Sequence, residues 1–174
     1  MGVVGLVVLI AVVSFSGGSR SAVTPGTGVA GGAVGKPAAA PAKVGDTITA
    51  PNWSLRVVKV ERIDGDLVWS QYGNKATAVG QWLVLTVELK NLANQNHTLN
   101  TWDFELRTAA GQTYKHSTES GTSSLAEFRK QTALGKQVPP GATITASLVF
   151  DVAKGTEGVS LVFSQAKDAP INVG

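Results

Sequence analysis

The stretch QWLVLTVELKN, residues 81–91, decides the fold. Leu83, Leu85, Val87 and Leu89 fall on every second position, and Thr86, Glu88 and Lys90 take positions between them. A period of two puts these sets on opposite faces of an extended chain. A helical period of 3.6 would scatter the leucines around the axis. Residues 81–91 therefore read as a strand with one face turned to a core.

The same rhythm continues on both sides. Downstream, TWDFELRT (101–108) sends Trp102, Phe104 and Leu106 inward and Asp103, Glu105 and Arg107 outward. Ala110-Gly111-Gln112 then turns the chain and brings Tyr114 back. After Pro139-Pro140-Gly141, Ile144, Ala146, Leu148, Phe150 and Val152 alternate through 142–152, and Val159, Leu161 and Phe163 mark a last strand over 158–164. Upstream, 46–50 form a short strand ended by Pro51-Asn52, followed by a longer strand over 53–63. There Trp53, Leu55 and Val57 share one face before Val58 and Val60 take the other, a change of phase that either a β-bulge or cover on both faces produces. Short alternating strands punctuated by turn residues make the pattern of an all-β sandwich. One stretch departs from it. Ser124-Leu125-Ala126-Glu127 matches a capping box, Phe128 follows Leu125 by one turn and Gly135 lies beyond, which predicts a short helix over 124–134 plugging one end of the sandwich.

Ahead of this domain the composition changes. GVVGLVVLIAVVSF, residues 2–15, carries no charge. Its length fits the apolar core of a signal peptide better than a full membrane span of about 20 residues. Ser14, Ser16, Gly17, Gly18 and Ser19 supply small residues for cleavage. Only the α-amine precedes the run and Arg20 follows it, which inverts the usual charge bias; either the true start lies upstream with a basic region, the expected case, or the segment inserts despite a weak bias. Residues 1–19 are read as a signal peptide or membrane anchor, the latter holding the protein to a membrane if uncleaved. Residues 20–43 are Gly, Ala, Pro, Ser and Thr with little else, too poor in core-forming side chains to offset backbone entropy, and read as a disordered tether. Residues 44–174 are the sandwich.

The formal charge of +3 sits entirely in that tail, in Arg20, Lys36 and Lys43; from Val44 onward twelve bases meet twelve acids. A phosphate backbone demands clustered Lys and Arg, and the densest pair, Arg129-Lys130, reads as a solvated helix face, so no nucleic-acid partner is expected. The chain has no cysteine, which removes disulfides, thiolate nucleophiles and lipid-modified cysteine.

In order, GDTITAPNWSLRVVKV, QWLVLTVELKN, TWDFELRTAAGQTYK and VPPGATITASLVFDVAKGTEGVSLVF closely resemble a widespread bacterial immunoglobulin-like domain of unknown function. The resemblance spans Val44 to Phe163. Its most specific blocks are a strand, an Asn, a polar stretch and aromatic-Asp-Phe-x-Leu, then Pro-Gly before a strand. It implies an immunoglobulin-like antiparallel β-sandwich with one short helix, exposed outside the cytoplasm. The family occurs on secreted proteins and lipoproteins and is related to an immunogenic secreted antigen of mycobacteria. It brings no set of catalytic residues, and the lipobox cysteine of its lipoprotein members is missing here.

No enzyme is legible. His97 and His116 lie in polar segments and are expected to be exposed loop residues, and no serine sits in a nucleophile elbow. No cofactor is expected. Asp64 and Asp66, separated by glycine, offer part of a weak calcium turn without the rest of the signature, and Asp-Gly-Asp is equally ordinary turn chemistry. Residues 66–80, DLVWSQYGNKATAVG, place Trp69, Tyr72 and Asn74 in a polar setting. Aromatic faces beside amides stack on sugars or anchor a protein partner; alternatively Trp69 is a lid folded over the sandwich edge. The expected function is a non-enzymatic extracytoplasmic binding or interaction module, secreted or anchored at the outer face of the cytoplasmic membrane, contacting protein or envelope glycan. The other reading is an architectural, self-assembling subunit of a surface structure with no discrete ligand. The first predicts saturable binding lost in Trp69→Ala or Tyr72→Ala, the second ordered self-association indifferent to both.

Overall fold

Runs of alternating side chains become strands wherever a turn residue lets the next run fold back. The computed structural model describes residues 40–68, 72–117 and 122–174. The readings made for residues 1–39 and for Trp69 lie outside them. In chain order the strands are β1 (Ala42–Lys43), β2 (Thr47–Thr49), β3 (Trp53–Ile63), β4 (Asp66–Val68), β5 (Lys75–Thr77), β6 (Gln81–Asn91), β7 (His97–Thr98), β8 (Phe104–Thr108) and β9 (Thr113–Lys115). Helix α1 (Thr122–Phe128) follows, then β10 (Gln137–Val138), β11 (Thr143–Val152), β12 (Val159–Phe163) and β13 (Ile171–Asn172).

Two sheets carry the fold, one ordered β11-β6-β3-β2 and the other β1-β13-β12-β8-β9. Pairing is antiparallel throughout both, apart from the parallel contact of β1 with β13. Leu55, Val57, Leu83, Leu85, Leu89, Leu148 and Phe150 of the first sheet meet Phe104, Leu106, Leu161 and Phe163 of the second in one buried cluster. The cross-strand pair Phe104 and Phe163 stacks with ring centroids 5.2 Å apart. Asn91, fully buried at the end of β6, donates to the carbonyls of Gln95 and Val138 and accepts from the Ala93 amide, so a polar side chain is satisfied inside the core.

β6 is buried on both faces. Trp82 and Val84 point away from the main core and join Leu67, Leu125 and Val149 in a second cluster, where α1 and the β4–β5 hairpin cover the outside of the sheet. The Trp82 indole N–H donates to the Ala76 carbonyl at 3.2 Å. The change of phase in β3 is a bulge: pairing with β6 slips between Val57 and Lys59, and Val58 turns outward.

Several expectations need correction. Thr101–Asp103 is a 3₁₀ turn rather than the start of a strand, because the Asp103 carboxylate accepts from the Asn100 amide and curls the chain; Trp102, expected inward, is 78% exposed. The helix is Thr122–Phe128, not 124–134. Its stop is Lys130, held at φ 55°, with the Lys130 and Gln131 amides donating back to the Glu127 and Ala126 carbonyls as in a Schellman ending. Arg129 is no idle surface charge, since it pairs with Glu61 at 2.7 Å. His116 is 7% exposed, tucked under the edge where the Ser117 amide donates to the Val149 carbonyl, and His97 is half-buried in β7. The folded part also takes in Ala42–Lys43, which pair with Ile171 and Asn172. Among the described residues no helix is long and apolar enough to cross a membrane.

Candidate functional site

The 3₁₀ turn at Thr101–Asp103 and the end of the β8–β9 hairpin build one pocket between them. Asp103 anchors the turn: its second carboxylate oxygen takes the Ser164 hydroxyl at 3.1 Å, and its carbonyl takes the Ser164 amide. A turn fixed at Asp103 cannot bury the preceding side chain, so the Trp102 indole stands in solvent as one wall. Thr101, Phe104, Glu105, Lys115 and His116 complete a cavity of about 220 Å³. Two wider hollows, of about 520 Å³ beside Asp151 and 610 Å³ beside Glu157, have no aromatic side chain among their described lining residues.

The charges in the pocket are unevenly matched. Glu105 faces Lys115 across the strand pair, yet its carboxylate is taken by Arg107 at 2.6 Å. The exposed Lys115 ammonium is left without that partner, and the Asp103 carboxylate in the turn is bonded to neutral donors, the Asn100 amide and the Ser164 hydroxyl. His116 forms the inner end of the pocket. Its ring lies edge-on to Phe150 with centroids 5.8 Å apart, and neither ring nitrogen reaches a hydrogen-bond partner. Burial pulls its pKa down, and the nearby backbone at Ser117 and Ser147 pulls weakly the other way without closing a bond of ordinary geometry. The imidazole is therefore neutral at neutral pH.

Among the described residues His116 has no serine hydroxyl or carboxylate bonded to its ring, and His97 lies against the Trp53 ring and 3.3 Å from the Gln95 side-chain nitrogen. Asp66 is ion-paired with Lys75 and accepts from Thr77, and these partners, Lys75 first, hold its carboxyl below the usual range. Asp64 lies 3.8 Å from Lys154. Among the described residues no three ligating side chains cluster to hold a metal. Tyr72 and Asn74 are exposed in the connection between β4 and β5. The pocket belongs to the edge of the β1-β13-β12-β8-β9 sheet. Sequence reasoning missed it because Trp102 fits the inward phase of β8, and the one available signal was Asn100 followed three residues later by Asp103, a capping pattern.

Residues 42–170 match the family described as domain of unknown function (DUF4352). Among curated proteins nothing matches. Solved structures similar to this chain include the yjhA protein from Bacillus subtilis, with 19% identity, 75% of this chain and 98% of that chain covered, and a TM-score of 0.56. A conserved hypothetical protein from Bacillus anthracis shares 15% identity over 76% of this chain and 95% of that one, with a TM-score of 0.59. The secreted protein MPT63 from Mycobacterium tuberculosis matches at 20% identity over 70% and 89% of the two chains, with a TM-score of 0.48. The first two show the shared sandwich fold, and the family match bears out the resemblance read from the strand blocks.

Proposed function

This chain belongs to the DUF4352 family, and from that premise we propose that it is an extracytoplasmic, non-catalytic binding module displayed on a tether. The observation that carries the reading is the exposed Trp102 beside a pocket with an unmatched lysine and a buried, unpartnered histidine. Leaving an indole in water forgoes the roughly 1.5–3 kcal/mol that burial of a large apolar side chain brings, and such residues concentrate where partners dock. The apolar run at 2–15 and the Gly/Ala/Pro-rich stretch after it support export and display.

The test is protease treatment of intact bacteria expressing the full chain with a C-terminal tag. Loss of the tagged domain without lysis is the expected result, and full protection until lysis overturns the reading. Chemical cross-linking on the same cells addresses the binding half. Cross-linked species that disappear with Trp102→Ala support a discrete ligand, whereas homo-oligomers indifferent to Trp102→Ala favour a self-assembling subunit.

A further inference from the structure

We propose that the Trp102 pocket binds one saccharide ring bearing a carboxylate. The inference rests on the binding-module reading and names its ligand class. Three features of the pocket select this chemistry together. A flat indole face, exposed on one wall, matches the C–H face of a pyranose. The cavity of about 220 Å³ lies below the roughly 300 Å³ at which sites for drug-sized ligands begin, which suits the seat of a single ring. Because Arg107 occupies Glu105, the Lys115 ammonium at the rim is available to a carboxylate on the ligand.

Other small ligands use only part of this set. A compact oxyanion meets Lys115 and leaves the indole bare. An aromatic acid covers the indole and leaves the Thr101 hydroxyl and the Glu105 carboxylate oxygens without a hydroxyl to bond. A sugar acid answers all of them: its ring on Trp102, its carboxylate on Lys115, its hydroxyls toward Thr101 and Glu105. His116 closes the inner end as a wall, its two ring nitrogens sealed from solvent and facing protein rather than the cavity.

The full-length chain, labelled with ¹⁵N and held in detergent micelles, is titrated with D-glucuronate, D-glucose, benzoate and inorganic phosphate while the Trp102 indole N–H and the Lys115 and His116 amides are followed by NMR. Glucuronate is expected to shift these resonances saturably, with glucose about fivefold weaker, the upper range for one exposed ion pair. Lys115→Gln brings glucuronate down to the level of glucose, Trp102→Ala weakens both at least about tenfold, and Trp102→Phe restores part of the loss. Because Trp102 and Lys115 are exposed, the variants are expected to melt with the parent. No saturable shift with either sugar, glucose binding as well as glucuronate, or benzoate or phosphate binding more tightly than both, overturns the assignment. Any of those outcomes leaves the display reading to stand on protease accessibility, which does not depend on this pocket.

Discussion

His116 is buried in a form that only its neutral ring tolerates. In the unfolded chain its pKa lies near 6.5, while in the fold burial lowers it, so between those values the unfolded state binds a proton that the folded state refuses. Stability is therefore unaffected above about pH 6.5 and declines as the pH falls below it, levelling once the folded-state pKa is passed. Urea midpoints measured from pH 7.5 to 5 are expected to fall, and in His116→Leu that decline flattens. Gly80 makes a second demand at the scale of one residue. A Cβ there would stand 2.1 Å from the Val152 carbonyl oxygen, while its amide and that of Val79 are held by the Asp151 carboxylate. Backbone rather than a side chain is in the way, so Gly80→Ala should cost at least about 3 kcal/mol, in the tail of single-residue effects; a thermal melt within a degree of the parent would contradict the packing at this corner.

Helix α1 is held by one face and one ion pair. Leu125 packs on Trp82, Val84 and Val149, while Arg129, just past the helix, donates to Glu61 on β3 at 2.7 Å. Burial pushes the Glu61 carboxyl up, and the hydrogen bonds from Arg129 and Lys59 outweigh it, so the group titrates below the ordinary range. That contribution is present above the unfolded value near 4.3 and is lost as pH falls through the lower folded one. The pair is partly exposed, so Arg129→Gln is expected to destabilise by only about 1 kcal/mol. Glu61→Gln should add little to it in the double variant, and fully additive losses would mean that the two side chains are not coupled. The helix length was misread for a related reason. A seven-residue helix ends where tertiary bonds take over: the Thr132 amide leaves the helix to donate to Thr145 at the margin of β11, and no periodicity within 124–134 encodes that partner.

Across the whole molecule the order of protection follows from the sheets. β6 lies between β3 and β11 and is covered on both faces, so its amides open only with global unfolding, whereas β2 and β9 are margins. Hydrogen exchange should be slowest over Leu83–Leu89 and fastest at Thr47–Thr49 and Thr113–Lys115. Equal exchange at centre and margin would contradict a single cooperative sandwich. The alternation of Leu83, Leu85, Val87 and Leu89, repeated from Ile144 to Val152 and from Val159 to Phe163, determined the sandwich and its core unaided. A period of two is written in consecutive residues, and burying one face of each strand leaves two sheets packed together as the solution. What only the tertiary structure decided was the site. Trp102 obeys the strand period and escapes it because Asp103 bonds back to Asn100 and across to Ser164, sixty-one residues away. His116 looks like a loop histidine and is buried because β9 delivers it against Phe150. Alternation records which face a residue would take within a strand, and it carries no information about where a strand begins or which distant segment closes over it.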